Sequence, residues 1–273
     1  MKSFSLPDAV RGIQIEKDAA KAARDMPEMH SHQFNELYFL ISGERRYFIG
    51  HTIYDVLPDN VIIIQKNELH KTNTRNNKGY ERYVVYFSDE DISQLENHKN
   101  SSSVLSESGC ISLPHKIAEV IKAKLDEIYN EESHTDSYSE AMTKSIFCEI
   151  MILIMRYGTK ASGASDIHSD KIQEVARYIS ENFEKEISLS DAAKMAYMEE
   201  TYFSKKFKRL TGFGFSEYLC ETRLNEAARL LIYTDLSISE ISDKCGFSSS
   251  NYFGDVFKRL NGVSPSAYRK NKH

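Results

Sequence analysis

Residues 237–270 read SISEISDKCGFSSSNYFGDVFKRLNGVSPSAYRK and decide the fold of this 273-residue chain. Ser237 followed three residues later by Glu240 is a capping box, in which the hydroxyl and the carboxylate satisfy backbone amides at a helix start. Apolar residues then follow at helical spacing, at Ile238, Ile241 and Cys245. Gly246 interrupts the run where a backbone turn is needed. The pattern predicts a helix that ends at about Lys244, followed by a tight turn.

A second helix is predicted after that turn. Ser248, Ser249 and Ser250 offer hydroxyl groups for its N-cap, and Gly262 supplies a C-terminal stop. The side chains predicted to point inward are Phe253, Phe257 and Leu260. Two short helices joined by a tight turn form a helix-turn-helix unit.

A looser copy of this pattern begins upstream at Ser188, which with Asp191 repeats the capping box. Residues 202–212 and 252–262 are identical at seven of eleven positions, including exposed basic residues as well as core positions. An internal repeat is a stronger signal than a single motif, so two helix-turn-helix units are predicted. The alternative is a chance likeness, or a duplication for packing alone, between two amphipathic helix pairs.

Over about residues 170–270 the chain resembles the AraC/XylS family of bacterial transcription regulators. The residues that carry the resemblance are Ile241, Gly246-Phe247, Tyr252-Phe253, Phe257-Lys258, Gly262, Ser264-Pro265 and Tyr268. The resemblance implies two units that are rigidly joined by a long helix. Residues 218–233 have the required length and an apolar stripe, so they are predicted to form that helix.

If the second helix of each unit lies in the major groove, its N-terminal residues face base edges and its flanks face phosphates. By position, the predicted DNA-binding residues are Glu200, Thr201, Ser204, Lys205, Lys208 and Arg209 in the first unit, and Ser250, Asn251, Gly254, Asp255, Lys258 and Arg259 in the second. Lys205 can pair with guanine and Asn251 with adenine, whereas Asp255 can only accept a hydrogen bond. The first unit is therefore expected to supply most of the sequence discrimination.

The formal net charge of −5 is unusual for a DNA-binding protein, but the charge is unevenly distributed. Residues 1–168 hold 19 basic and 25 acidic side chains, whereas residues 169–273 hold 16 and 15. Basic clusters are Lys205, Lys206, Lys208 and Arg209; Lys258 and Arg259; and Arg269, Lys270 and Lys272. A solvated helix face explains any one cluster, but recurrence at equivalent ends of repeated helices favours phosphate contacts.

No apolar run approaches the roughly 20 residues needed to span a bilayer, and residues 1–10 have no signal-peptide core. A cytoplasmic protein without membrane contact is expected. The four cysteines lack the paired spacing of a disulfide framework or a zinc site, and no cofactor is expected.

Residues 1 to about 90 are rich in aromatic and β-branched residues with period-two alternation, which is typical of strands. Strands are predicted at Glu36–Ile41, Arg45–Ile49, Val61–Ile64 and Tyr80–Phe87, with Ser42-Gly43-Glu44 as a hairpin connection. This part is predicted to be a small β-barrel or sandwich.

An HxHxxxExxxxxxG pattern in this region resembles the first motif of the cupin superfamily and is formed by His30, His32, Glu36 and Gly43. His70 lies where the second cupin motif would place its histidine, although Gln65 and Asn67 replace the usual Pro and Gly. In metal-binding cupins the three histidines and the glutamate are ligands. The predicted effector-binding residues are His30, His32, Glu36, Tyr38, Arg45, Tyr47 and His70. Structural hydrogen bonding is one alternative, and a metal site formed by His30, His32, Glu36 and His70 is another.

Residues 88–112 are polar and Ser-rich and predict a loop. Helices are predicted at His115–Asn130 and Tyr138–Tyr157, and the second is apolar on more than one face. In the AraC/XylS family a comparable pair forms the dimer interface, so a homodimer is expected, with packing against the barrel alone as the alternative. Residues 159–168 are predicted to be a flexible linker.

The predicted fold class is α+β: an N-terminal cupin-like β-barrel with a following helical pair, then an all-α domain of two helix-turn-helix units joined by a long helix. Residues 1–158 are predicted to be the effector-binding and dimerisation domain, with the barrel at about 1–90 and the helices at about 115–158. Residues 169–273 are predicted to bind DNA.

The predicted function is a sequence-specific DNA-binding transcription regulator controlled by a small-molecule effector such as a sugar. The resemblance implies an activator, with RNA polymerase as a further partner, and not an enzyme. One alternative is a metal-dependent cupin enzyme or metal sensor fused to DNA-binding units, which the degenerate second cupin motif disfavours. Another is a regulator that answers to a protein partner.

Overall fold

The computed structural model describes residues 12–22, 32–74, 78–96, 107–134, 136–164 and 167–270. The chain divides into two compact units, residues 1–49 with 53–165 and residues 166–273 with 50–52. Among the described residues, no helix has the length and the apolar character that crossing a membrane requires.

Two sheets form the framework of the N-terminal unit. The larger sheet has the strand order β1 (Gln14–Ala22), β7 (Lys78–Phe87), β2 (Asn35–Ser42), β5 (Asn60–Ile64), β8 (Gly109–Ser112) and β9 (Thr159–Lys160). The smaller sheet has the order β4 (Thr52–Val56), β3 (Arg45–Ile49) and β6 (His70–Thr74). The pairings of β2 with β5 and β7 are antiparallel, and they place Tyr38 opposite both Ile62 and Val84.

Alternation along these strands separates two cores, because successive side chains of a strand point to opposite faces. The inner core lies between the two sheets and includes Tyr38, Val84 and Tyr86 from the larger sheet with Tyr47 and Ile49 from the smaller one. The outer core lies on the opposite face of the larger sheet and includes Leu37, Phe39 and Val85.

The described part of the N-terminal unit contains three helices: α1 (Asp89–Glu96), α2 (His115–Glu131) and α3 (Ser139–Tyr157). The helices α2 and α3 cover the outer face of the larger sheet, where Leu125, Phe147 and Ile150 join the outer core. The predicted helix bounds are confirmed to within a residue. Part of the apolar surface of α3 is thus buried within its own unit.

Three local predictions in this unit differ from the structure. Ser42-Gly43-Glu44 is not a hairpin connection, because β2 and β3 belong to different sheets. Gly43 has a φ of +96°, and a β-carbon there would lie 2.5 Å from the carbonyl oxygen of Gly79, so only glycine allows this turn. The predicted loop at 88–112 contains α1 and β8. The predicted linker is shortened, because β9 pairs with β8 and the next helix begins at Ile167.

The C-terminal unit is helical. Its elements are α4 (Ile167–Asn182), α5 (Leu189–Met195), α6 (Glu200–Thr211), α7 (Phe215–Tyr233), α8 (Ile238–Lys244), α9 (Ser250–Asn261) and α10 (Pro265–Lys270). The first helix-turn-helix unit is α5–α6 and the second is α8–α9, and α7 connects them as predicted. Both predicted capping boxes are present. Gly212 and Gly262 end α6 and α9 with φ values of +88° and +75°.

Candidate nucleic-acid interface and effector site

The helices α6 and α9 are held in their units by aromatic residues on one face. Phe203 and Phe207 of α6 are fully buried, as are Phe253 and Phe257 of α9. The predicted inward position of Leu260 is wrong, because 48% of its surface is exposed. The N-cap of α6 is Glu199, whose carboxylate accepts a hydrogen bond from the amide of Tyr202. The N-cap of α9 is Ser249, which accepts from the amide of Tyr252.

The predicted DNA-binding residues occupy the opposite, solvent-facing side of the same helices. In α6 the exposed residues are Glu200, Thr201, Lys205, Lys208 and Arg209, and Ser204 is half-buried. In α9 the exposed residues are Ser250, Asn251, Asp255, Lys258 and Arg259, and Gly254 is half-buried. In each helix the basic pair lies in the last turn, where positive charge also interacts favourably with the helix dipole.

Two features of this surface differ from the sequence-based expectation. Arg269, assigned to a phosphate-binding cluster, instead donates hydrogen bonds to the carbonyl oxygens of Leu231 and Leu236 at 3.3 and 2.6 Å. Lys272 of the same cluster lies outside the described residues. From sequence alone, Tyr202 and Tyr252 are favoured as helix-packing residues rather than base contacts, but they have 47% and 53% of their surface exposed. These tyrosines are further candidates for DNA contact. The sequence alone does not distinguish them from the adjacent buried phenylalanines, because the difference in exposure depends on how the helices pack.

In the N-terminal unit, three of the four predicted cupin-type residues meet in one buried cluster. The ligand atoms of His32, Glu36 and His70 all lie within 4.8 Å of one another. His32 Nε2 lies 3.2 Å from Glu36 Oε2, and His70 Nε2 lies 3.8 Å from the same oxygen. His30, the fourth predicted residue, lies outside the described residues.

Backbone carbonyls orient both imidazole rings of this cluster. His32 Nδ1 lies 2.7 Å from the carbonyl oxygen of Phe34, and His70 Nδ1 lies 2.9 Å from that of Glu68. Because a carbonyl oxygen can only accept, Nδ1 carries the proton in each ring and Nε2 faces the carboxylate. A neutral Nε2 and a carboxylate are both electron-pair donors, so a proton or a cation between them is favourable. Two imidazoles and one carboxylate therefore fit a divalent transition metal as well as a shared proton.

Beside this cluster, the inner core contains the hydroxyl groups of three tyrosines. The hydroxyls of Tyr38, Tyr47 and Tyr86 are buried and have no hydrogen-bond partner among the described residues. Burial raises the pKa of all three phenols, so each remains a neutral donor and acceptor. Buried polar groups are nearly always satisfied, so these hydroxyls mark where a ligand or ordered water can bind.

Two buried arginines flank the tyrosines. Arg45, a predicted effector residue, donates to Thr74 Oγ1 at 3.2 Å, and its guanidinium lies 4.4 Å from the centre of the Tyr80 ring. Arg82 was not predicted, and it lies 5.3 Å from the centre of the Tyr38 ring. Arg82 and Tyr86 share the strand parity of Tyr80, so period-two alternation along β7 was the signal that could have identified them.

Two helix-turn-helix units joined by one helix, together with a two-sheet unit that has a polar interior, define a two-domain DNA-binding protein with a ligand-binding module. Two family models match the chain: the AraC-like ligand binding domain over residues 16–141 and a helix-turn-helix domain over residues 192–271. The chain belongs to the AraC family of DNA-binding transcription regulators, and the predicted family and fold class are confirmed.

Individual relatives span different parts of the chain. The HTH-type transcriptional activator RhaR of Mannheimia succiniciproducens is 25% identical over 242 residues, which cover 88% of this chain and 86% of RhaR. The regulatory protein PocR of Salmonella typhimurium is 37% identical over 103 residues, which cover 38% of this chain and 34% of PocR. The crystal structure of the DNA-binding domain of AdpA in complex with a target DNA is 34% identical and covers 36% of this chain and 88% of that domain, with a TM-score of 0.35.

Proposed function

We propose that the protein binds a specific operator with both helix-turn-helix units and regulates transcription in response to a small molecule held in the N-terminal unit. The observation that carries this proposal is the repeated solvent-facing polar surface of α6 and α9, with a basic pair in each last turn. Its residues occupy equivalent positions in two copies of one motif. A surface repeated in this way suits two successive major-groove contacts on one duplex.

The two helix-turn-helix units contribute differently to DNA recognition. Lys205 and Thr201 of α6 face base edges, whereas Lys208 and Arg209 face phosphates. In α9, Gly254 has no side chain and Asp255 can only accept, so Lys258 and Arg259 mainly hold the DNA backbone. The first unit supplies most of the sequence discrimination.

The effector binds in the inner core of the N-terminal unit. The support for this site is the set of buried hydroxyls of Tyr38, Tyr47 and Tyr86, which have no hydrogen-bond partner in the part of the chain that the structure describes and lie beside Arg45 and the histidine cluster. Hydroxyl groups that both donate and accept, next to aromatic faces, suit a sugar or another small polar metabolite. Effector binding shifts the equilibrium between domain or dimer arrangements and thereby changes operator binding.

The active species is a homodimer in the cytoplasm that activates transcription through RNA polymerase. Support for dimerisation comes from apolar side chains that remain exposed on α2 and α3, namely Val120, Tyr129 and Met142. The relative RhaR is named as a transcriptional activator. Neither the relatives nor the chemistry of the inner core favours an enzyme.

Selection of duplexes from a random library by the whole chain tests the DNA-binding part. Two preferred sequence blocks are expected, with affinity at least about 10³-fold above that for random duplex at physiological salt. Equal binding of all duplexes at every salt concentration would contradict the proposal. For the effector, a metabolite panel should raise the unfolding temperature of the wild type but not of Tyr38→Phe/Tyr47→Phe. No shift with any compound would favour control by a protein partner.

A metal-responsive regulator is the second candidate, supported by the geometry of His32, Glu36 and His70. Elemental analysis of purified protein and of Glu36→Gln distinguishes the two candidates, because the amide is isosteric but a poor metal ligand. Stoichiometric metal that is lost in Glu36→Gln would support the metal candidate. Equal, substoichiometric metal in both proteins would support the organic effector.

A further inference from the structure

Arg223, on α7, fastens the loop that precedes the first helix-turn-helix unit. Its Nε donates a hydrogen bond to the carbonyl oxygen of Phe183 at 2.8 Å, and its Nη2 donates to that of Lys185 at 2.8 Å. Both carbonyls lie in the loop between the end of α4 and the start of α5. Because a planar guanidinium holds two acceptors in a fixed geometry, residues 183–185 are tied to α7.

Gly246 of the second unit contacts the residue between those two carbonyls. A β-carbon at Gly246 would lie 2.6 Å from the carbonyl oxygen of Glu184, and the φ of Gly246 is +74°. Only glycine combines that φ with so close an approach to another backbone. The turn between α8 and α9 therefore rests on the loop that Arg223 fastens.

This contact joins the two helix-turn-helix units in addition to the connecting helix α7. A single shared helix leaves two bodies able to bend and twist relative to each other. Beside the contact the units are separated by a groove of about 670 Å³, which is lined by Ser188, Cys220, Arg223 and Phe247 among others. The contact that runs from Arg223 through residues 183–185 to Gly246, here called the brace, limits the relative movement of the two helix-turn-helix units next to this groove.

We infer that Arg223 and Gly246 are positioning residues that set the spacing between the two DNA segments contacted by α6 and α9. The inference rests on the proposed function, because spacing matters only if both helices enter one duplex. Recognition helices on one face of a duplex lie about 34 Å apart. One base pair changes that separation by about 3.4 Å and also rotates the groove, so braced units reject DNA with the wrong spacing.

The test compares Arg223→Met and Gly246→Ala with two matched controls in the whole chain. Arg229→Met removes another guanidinium of α7, one that donates to Glu226 on the same helix. Gly262→Ala introduces a β-carbon at a φ of +75°, with no described atom within 4 Å of it, so it adds backbone strain without the clash. Each protein selects duplexes from a random library. Nitroxides introduced with a non-canonical amino acid at positions 208 and 258 report the α6–α9 distance without DNA.

The wild type and both controls are expected to give one narrow distance and one spacing, preferred at least about tenfold over spacings one base pair longer or shorter. Arg223→Met and Gly246→Ala should keep the base preferences of each block but lower the spacing preference to about threefold or less, with a broader distance distribution. Arg223→Lys, which retains a donor, should be intermediate. Thermal unfolding identifies any variant that does not fold, and the inference is then judged on the variants that do fold.

An unchanged spacing preference and an unchanged distance distribution in the folded variants would overturn the inference. The proposed function would still hold in that case, provided that the wild type selects two preferred sequence blocks. If the wild type selected no sequence, the proposed function would fail. The distance measurement would then test the brace by itself. An unchanged α6–α9 distance distribution in Arg223→Met and Gly246→Ala would overturn the inference.

Discussion

The rings of Tyr38 and Tyr47 lie 4.9 Å apart between centroids with their planes at 67°, and neither hydroxyl has a hydrogen-bond partner among the described residues. Tyr38 belongs to the larger sheet and Tyr47 to the smaller one. The pair therefore connects the two sheets through ring contact, while its polar atoms remain available to a ligand.

Tyr38→Phe is expected to raise the free energy of unfolding of the ligand-free protein by about 1 kcal/mol, because a buried hydroxyl without a partner is destabilising. Tyr83→Phe is the matched control, since the Tyr83 hydroxyl donates to Asp126 and its loss should lower stability by about 1 kcal/mol. Urea denaturation measures both changes. A clear loss of stability in Tyr38→Phe would mean that its hydroxyl is already satisfied, for instance by bound water.

Gly254 and Gly246 should respond to alanine in opposite directions. A β-carbon at Gly254, inside α9, would have no described atom within 4 Å, so Gly254→Ala should stabilise the fold by about 0.5–1 kcal/mol. Gly246→Ala should destabilise it by at least about 1–2 kcal/mol, because of its positive φ and the clash with Glu184. Thermal unfolding provides the comparison. A Gly254→Ala protein that is more stable yet has altered base preference would show that the glycine is needed for close approach to DNA.

Lys258→Ala should weaken binding to all duplexes by a similar factor and reduce the slope of log affinity against log salt by about 1. Lys205→Ala should instead relax base preference at one or two positions of the block contacted by α6. Titrations at several salt concentrations with selected and scrambled duplexes separate the two effects. Lys171→Ala is the control, because the Lys171 ammonium is paired with Glu174 at 2.7 Å. If Lys258→Ala and Lys205→Ala had the same effects, the proposed difference between the two helix-turn-helix units would be wrong.

The two capping boxes predict a loss of stability in acid. The hydroxyl and then the amide of Ser188 hold the pKa of Asp191 below its ordinary value, and the amide and then the hydroxyl of Ser237 do the same for Glu240. Because these pKa values are lowered on folding, the stabilisation is present above the ordinary carboxyl pKa of about 4 and is lost as the pH falls through the lowered values. The unfolding temperature should therefore fall more steeply in acid for the wild type than for Asp191→Asn/Glu240→Gln. Parallel curves for the two proteins would contradict this prediction.

The helical unit was predictable because its signals are local. Ser188 with Asp191, Ser237 with Glu240, and the glycines at 212 and 262 each act within a few residues of a helix end. Even there, the exposure of Leu260 depends on what surrounds α9. The use of Arg269 within the fold depends on a loop some thirty residues earlier.

The sheet unit was less predictable because strand pairing is not local. Tyr38, Arg45 and Tyr47 are predicted together as effector-binding residues, and the structure places all three in or beside the inner core. The turn at Gly43 leads from one sheet to the other, which depends on the approach of Gly79. The edge strand β1 (QIEKDAAKA) was missed because its alanines and charged residues have low strand propensity, and its pairing with β7 compensates for that.

The two arginines that donate to backbone carbonyls ahead of the helix-turn-helix units also distinguish the two copies of the repeat. Arg223 lies eleven residues after Gly212, whereas Arg269 lies seven residues after Gly262, the equivalent glycine of the second copy. The two arginines therefore occupy different positions of the repeat, although each donates to carbonyl oxygens that precede a helix-turn-helix unit. The same kind of anchoring is thus made from two non-equivalent positions within a single chain.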